Sequence, residues 1–321
     1  MIFKLTCLLI TNFILFKITF YLFQKYKLLD IPSGALKIHK AATPYNGGIV
    51  LFLNIIFILI LNFNFQFLYP NFLIFLLLLT SLFIMCFIDD INNISANLRF
   101  FLTIIILTLF LIFYPSLRLE NLRFEFIDYS IEFYLYSLPV SVFCLFAFTQ
   151  AINMLDGING QVAIYITVLL IITNLFSQNI SIYFLPFLAI FLFFNLSGKS
   201  FLGDSGSYLL AFCTGLLLIN LYQKKIFSAD EVFLLISIPG YEMIRLFTTR
   251  IINKKNPFLG DRNHIHHLLL NKYNIKVATI FSSFILVTPC ILITFLDNNL
   301  IIFIVTLLIY SCLIIYLKKK S

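Results

Sequence analysis

Carboxylates and histidines are scarce in this chain, and they are grouped. FIDDINNISANLRF (87–100) sets Asp89 and Asp90 side by side at the end of an apolar run. NMLDGING (153–160) puts Asn153 and Asp156 at the end of another, and FLGDSGS (201–207) puts Asp204 at the start of a third. DRNHIHHLLL (261–270) holds Asp261, Arg262, His264, His266 and His267, and KIHKAATPYNGG (37–48) holds Lys37, His39 and Lys40. Acids at a helix C-terminus oppose the negative end of its dipole, and two adjacent like charges add to the cost. A bound cation would offset both effects. Oxygen ligands at Asp89, Asp90, Asp156 and Asp204 suit magnesium or manganese better than zinc or copper, and magnesium often shares its shell with substrate phosphates. Together with lysine, arginine and histidine, they point to a pyrophosphate-containing substrate and phosphoryl transfer.

Each segment also has a plainer reading. Asp89 and Asp90 could be a solvated helix end. Gly157, Asn159 and Gly160 could simply form a turn. Asp204 or Ser205 is a good helix N-cap, and 37–48 could be an ordinary basic loop. From Arg262 onward, Ile265, Leu268 and Leu269 recur at helical spacing, which predicts a short amphipathic helix on the membrane surface. On that helix His264 and His267 share a face and His266 points away, so the three would not converge on zinc. Imidazoles lining an anionic substrate fit better; incidental histidines on a wet helix are the plainer alternative.

These groups need a scaffold, and the composition defines it. The chain is 61% hydrophobic and 11% charged, with a mean hydropathy of +1.01. Soluble domains carry roughly 25% charged residues. A membrane span needs about 20 mostly apolar residues, and the apolar runs here are long rather than short and alternating, which excludes a closed barrel. The expected fold is all-α: a polytopic integral membrane helical bundle of about eleven transmembrane helices, at 2–23, 47–68, 72–88, 98–115, 137–153, 160–177, 180–197, 206–222, 232–250, 277–296 and 299–317. The first run lacks a small-residue cleavage site and reads as a retained span. Cys7, Cys86, Cys144, Cys213, Cys290 and Cys312 show no CxxC spacing and read as small buried hydrophobes. No internal repeat or linker is evident, so 1–321 reads as a single domain.

The formal net charge of +8 does not indicate nucleic acid, because the basic residues sit at the ends of apolar runs. Lys25, Lys27, Lys37, Lys40, Arg99, Lys199, Arg250, Lys254, Lys255, Arg262, Lys272, Lys276 and Lys318–Lys320 fall on one side of the predicted bundle. They outnumber Lys4, Arg118, Arg123, Lys224 and Lys225 on the other. The positive-inside rule makes the first side cytoplasmic, with the N-terminus outside and the C-terminus inside. Asp89, Asp90, Asp156, Asp204, Asp261 and the histidines all lie on that cytoplasmic side, so the chemistry is expected there.

Taken together, HKAATPYNGG, DDINNISANLR, NMLDGING, GDSGS and NPFLGDRNHIHHLL resemble the motifs of the polyprenyl-phosphate N-acetylhexosamine-1-phosphate transferases. These are relatives of the phospho-MurNAc-pentapeptide translocase within glycosyltransferase family 4. The motifs occur in the family's order from residue 39 to 269. The resemblance implies a single transmembrane catalytic domain and a magnesium-dependent phosphotransferase, with manganese as an alternative ion. Its partners would be a UDP-sugar and a polyprenyl phosphate lipid in the membrane, and a homodimer stays open. The products would be a polyprenyl-diphosphate sugar and UMP, the initiating step of a cell-envelope glycan at a bacterial inner membrane. It implies Asp204, with Asn153, as metal ligand, and Asp89, Asp90 and Asp156 as catalytic carboxylates. Lys40, Asn153, Arg262, His264, His266 and His267 would bind substrate, and His39 is a weaker phosphate contact.

The departures are also informative. Asn159 stands where the family commonly has a second aspartate, and Ala96 where proline is common. Glu242 is expected to replace a family aspartate and, three residues from Arg245, to ion-pair with it on one helix face. The HIHH pattern favours a simple N-acetylhexosamine over the MurNAc-pentapeptide. Three rival readings are an inactive homologue, suggested by Asn159, a CDP-alcohol phosphotransferase, whose run of aspartates is missing here, and a membrane transporter. Transporters usually keep their polar residues near the bilayer midplane, where only Glu242 and Arg245 are expected.

Overall fold

The computed structural model describes residues 2–32, 41–61, 72–177, 180–258 and 261–319. Lys37, His39 and Lys40 lie outside the described residues. The helices, in chain order, are α1 (Ile2–Lys25), α2 (Gly47–Leu61), α3 (Phe72–Asn92), α4 (Ala96–Phe113), α5 (Ser137–Leu155), α6 (Gln161–Phe176) and α7 (Leu185–Leu196). They continue with α8 (Gly203–Gln223), α9 (Ala229–Leu235), α10 (Ser237–Ile252), α11 (Ile265–Leu270), α12 (Ile275–Leu292) and α13 (Asn299–Lys318). Two small antiparallel pairs join them: β1 (Leu29–Asp30) with β2 (Thr43–Pro44), and β3 (Asn121–Phe124) with β4 (Tyr129–Glu132).

The all-α expectation holds, and the chain is a multi-pass membrane protein. Seven described helices are long and apolar enough to cross a bilayer: α1, α3, α4, α5, α8, α12 and α13. The other expected spans are a different case. Helices α2, α6 and α7 are apolar but shorter, and α9 and α10 form one run bent by 69°. The bend has a local cause. Pro239 has no N–H to donate and is tolerated in a first helical turn, so the chain restarts a helix at Ser237 instead of continuing α9. The Ser237 hydroxyl donates to the Leu234 carbonyl at 2.8 Å across the break.

Helix α8 is the most enclosed of the long helices and packs against α2, α3 and α5. Its apolar side chains Tyr208, Leu209, Ala211 and Phe212 are almost wholly buried. Its glycines allow close approach: a Cβ on Gly206 would lie 3.0 Å from the Cα of Gly48 in α2. Helix α1 docks on α2 and α7. There Asn12 donates to the Asn54 side chain at 2.8 Å, and Phe16 stacks on Phe187, Phe191 and Phe194. The described part of the 37–48 loop is a strap. Phe201 N–H donates to the Pro44 carbonyl at 2.9 Å, Gly47 N–H to the Phe201 carbonyl at 3.0 Å, and the Ser200 hydroxyl to the Asn46 side chain at 2.7 Å. It fixes the stretch that leads into α8.

Candidate active site

The C-terminal turn of α3, the N-terminus of α8 and the α5–α6 turn meet at one end of the bundle. Asp89 and Asp90 end α3, Asp156 is the C-cap residue of α5, and Asp204 lies in the first turn of α8. All four line a single cleft of about 770 Å³, with Tyr45, Arg99, Asn159, Asn195 and His267 among its other walls. A side chamber of about 240 Å³ adjoins it, lined by Asn153, Asp156, Arg250, Asp261, His264, His266 and His267. Arg99, Asp156, Gly157, Phe258 and His267 border both spaces. The motifs that are far apart in sequence are therefore together in space.

The two adjacent acids of α3 are held by different means. Asp89 is buried, and its Oδ1 accepts from Ile94 N–H at 2.5 Å, closing the turn into α4. Its Oδ2 meets Arg99 Nη1, and the same nitrogen meets Asp204 Oδ2. Asp90 instead accepts from α8: Oδ1 from Asp204 N–H at 2.6 Å, Oδ2 from Ser205 N–H at 3.1 Å and from the Ser205 hydroxyl at 2.6 Å. The cation expected to offset two acids at a helix C-terminus is, for Asp89, a guanidinium from the next helix. For Asp90 it is the positive end of another helix.

Arg99 is the cleft residue that sequence reasoning undervalued. It was visible as the charged residue in the first turn of an otherwise apolar helix, inside the segment DDINNISANLR. Asn153 donates through Nδ2 to Asp204 Oδ1 at 2.8 Å and to the Ser207 hydroxyl at 3.0 Å. Two carboxylate oxygens thus converge on one cationic nitrogen, with an amide beside them. That oxygen-rich donor set fits a hard divalent ion. Among the described residues no three His, Cys, Asp or Glu side chains are grouped to hold a metal by themselves. This leaves the rest of such a shell to water and phosphate, as magnesium commonly has it.

Asp156 stands exposed at the cleft wall, where the surrounding protein replaces part of its hydration. That desolvation pushes its carboxyl up to about 7, and the nearby Asp204 charge adds to the rise. Gly157 follows it, and a Cβ there would collide with the His266 ring. Gly160 has a φ of +86° and donates its N–H to the Asn195 side chain at 2.6 Å. Asn159 lines the main cleft.

The histidine segment departs from the expected surface helix. Helix α11 starts at Ile265, three residues later than expected, and Ile265, His266, Leu268 and Leu269 are buried against the protein. His264 precedes it in extended conformation, so its ring folds back toward the others. The ring centroids lie 5.2 Å apart for His264–His266, 4.4 Å for His266–His267 and 6.0 Å for His264–His267. The expectation that His266 points away is thus overturned, because it assumed one continuous helix through His264. Arg250 Nη2 lies 3.3 Å from His264 Nε2. A guanidinium only donates, so Nε2 accepts and the imidazole proton sits on Nδ1. Burial, with Arg250 next, lowers His264 to about 4, and burial drives His266 well below its usual value. Burial, followed by the Arg262 charge, also lowers His267.

Arg250, a second residue that was not singled out, donates through Nε to Asp261 at 3.0 Å and through Nη1 to the Pro257 carbonyl at 2.7 Å. Burial works against ionisation of Asp261, but the bonds from Arg250 and from Asn263 N–H prevail and hold it down to about 2. Arg262 is exposed and lines neither space. Glu242 and Arg245 form the expected pair, at 2.8 Å, on one face of α10. Both are committed to the histidine segment: Glu242 accepts from Ile265 N–H at 2.7 Å, and Arg245 donates to the Asn263 carbonyl at 2.7 Å. The Tyr310 hydroxyl of α13 closes this network on Glu242.

Residues 72–222 match the family model described as Glycosyl transferase family 4, a stretch that contains Asp89, Asp90, Arg99, Asn153, Asp156 and Asp204. That stretch, just under half of the chain, is similar to glycosyl transferase family 4. The match supports a transferase of the polyprenyl-phosphate sugar-phosphate kind, acting between a sugar donor and a lipid acceptor at a membrane. The histidine segment, the strap and α2 lie outside the 72–222 match, yet the fold brings them against it. No curated protein matches the chain in sequence.

Proposed function

We propose that this protein transfers an N-acetylhexosamine-1-phosphate from a UDP-sugar to undecaprenyl or another polyprenyl phosphate. The observation that carries the reading is the convergence of Asp89, Asp156, Asp204, Arg99 and His267 on one cleft at the end of a membrane bundle. A lipid phosphate reaches such a place from the bilayer, and a nucleotide sugar reaches it from water. An oxygen of the lipid phosphate attacks the sugar-linked phosphorus of the donor. A new P–O–P bond forms to the lipid, the old one breaks, and UMP leaves with the electron pair. The products are the polyprenyl-diphosphate sugar and UMP, and the reaction starts a cell-envelope glycan at the cytoplasmic face of a bacterial inner membrane.

Positioning and charge stabilisation carry most of the work in such a transfer. Asp204 and Asn153 are the residues that would hold magnesium or manganese, with Asp89 adjacent. The ion would neutralise charge developing on the phosphates. Asp89 orients the lipid phosphate or takes its proton, and Arg99 supplies positive charge at the same place. Asp156 and Asn153 face the nucleotide side. His267, on the wall shared by the two spaces, meets the diphosphate, while buried His264 and His266 shape the chamber behind it. Lys40 and Arg262 are assigned to substrate on the resemblance alone.

The test is transfer of radiolabel from UDP-GlcNAc and other UDP-N-acetylhexosamines into lipid, using purified protein, undecaprenyl phosphate and magnesium. Labelled lipid with equimolar UMP is expected, and EDTA should abolish it. Asp204→Asn should abolish it too while the protein still purifies from membranes. Full activity in Asp204→Asn would remove that residue from the site. A labelled phosphate trapped on Asp89 would replace direct attack by a covalent route.

A further inference from the structure

We propose that Asp90 is a positioning residue, which caps the N-terminus of α8 from across the helix interface and so aims Asp204 into the cleft. The inference rests on the transferase reading above and changes the part played by one of its two adjacent acids. The reason starts with the sequence of α8. A helix start leaves its first N–H groups without intrahelical partners. The N-cap position here is Leu202, which has no side-chain oxygen to offer, and no side chain caps the helix locally. Neither Asp204 nor Ser205 serves as its N-cap. The missing acceptor comes instead from Asp90, 114 residues earlier, which takes Asp204 N–H, Ser205 N–H and the Ser205 hydroxyl.

The surroundings are built for that contact. Gly203 has a φ of +72°, and a Cβ on it would lie 2.7 Å from Asp90 Oδ2, so glycine gives the carboxylate room to reach the backbone. On the other side Gly48 of α2 packs so closely that a Cβ would collide with the Ser205 hydroxyl. Both Asp90 oxygens are therefore engaged by α8. A general base needs a free oxygen within hydrogen-bond reach of the proton it removes, and Asp90 gives both of its oxygens to α8. The charge of Asp90 is unfavourable at the end of its own helix and favourable at the start of α8. One of its donors is the backbone of Asp204 itself, so loss of the cap displaces the carboxylate that faces Arg99 and Asn153.

The experiment compares wild type, Asp90→Asn and Ser205→Ala as full-length proteins in detergent. It reads Mn²⁺ binding by electron paramagnetic resonance, the magnesium dependence of transfer, and the pH–rate profile. An asparagine amide would point a donor at donors, so Asp90→Asn should weaken Mn²⁺ binding by about tenfold or more, the usual scale for a partner behind a metal ligand. The magnesium needed for half-maximal rate should rise in parallel. At saturating magnesium the KM for polyprenyl phosphate and the acid limb of the pH profile should stay as in wild type. Ser205→Ala removes one donor of three and should weaken Mn²⁺ binding by about threefold; it also keeps the test open if Asp90→Asn fails to fold. Wild-type Mn²⁺ affinity in both variants would overturn the proposal. Loss of the acid limb with a raised KM for polyprenyl phosphate in Asp90→Asn would do so as well and make Asp90 the base. A wild-type protein that neither binds Mn²⁺ nor transfers sugar would instead overturn the underlying transferase reading.

Discussion

Arg99→Met removes the guanidinium that bridges Asp89 and Asp204 and keeps an unbranched apolar stem. Asp89 is 5% exposed, Arg99 22% and Asp204 30%. Breaking a buried pair by removing one partner costs about 3–5 kcal/mol, because the remaining charge loses its compensation. The partial exposure of Asp204 sets the loss at the lower end, about 3 kcal/mol. At the unfolding entropy of globular proteins, about 2.1 cal/mol/K per residue, the 321 residues give roughly 0.7 kcal/mol/K, so the Tm should fall by about 4–5 °C. The assay is thermal unfolding of the purified protein in detergent, first with EDTA and then with Mg²⁺ or Mn²⁺. In EDTA the variant should melt lower than wild type. Added divalent ion should raise the variant more than wild type, because the carboxylates of Asp89 and Asp204, without Arg99, would depend on the ion for their counter-charge. Equal melting in EDTA would refute the claim that Arg99 is the counter-ion of these acids. A deficit that divalent ions do not narrow would keep the ion pair but remove the metal from this position.

Two further outcomes follow from other contacts. Gly157→Ala should cost about 1–3 kcal/mol as overpacking, since the added Cβ meets a His266 ring that is 2% exposed and cannot yield; it should also slow transfer, and unchanged melting and rate together would contradict the close approach. Acid should loosen the histidine segment. His264 titrates near 4 in the fold against an ordinary 6.5, so the unfolded chain binds more protons between those values, and stability falls as pH drops from 6.5 toward 4, by about 3 kcal/mol in all. Asp261, held at about 2, adds a further loss only below about 3.8. Melting curves from pH 7.5 to 4.5 should show this slope, and His264→Gln, which still accepts from Arg250, should flatten it. An identical slope in that variant would assign the acid sensitivity elsewhere.

Much of this was readable from residue order alone. Long apolar runs specify membrane helices because a bilayer leaves the backbone few alternatives. The four acids share one end of the bundle with His264, His266 and His267, as a reading of motif and charge required. What could not be read has physical reasons. Helical spacing extended backward through His264 placed His266 on the wrong side, because an N-cap residue leaves helical geometry and the change cannot be seen in a periodicity. The bend at Ile236 was hidden in a run that is apolar throughout. Asp90 looked like a twin of Asp89, since adjacency in sequence says nothing of which neighbouring helix each carboxylate faces. Arg99 and Arg250 were counted as loop charges, though their partners, Asp204 and His264, come from other segments.

The network around Glu242 also bears on when the protein becomes competent during synthesis. Its carboxylate holds Ile265 N–H at the head of the histidine helix, and Tyr310 of α13 completes its shell. Chains emerge and pack from the N-terminus onward. The acids of the cleft are all in place once α8 is inserted, but the histidine wall gains its last anchor only when α13 arrives. A nascent chain stalled before that helix would hold an acidic half-site without a fixed lid of imidazoles, so ripening of the catalytic end waits on the far end of the polypeptide.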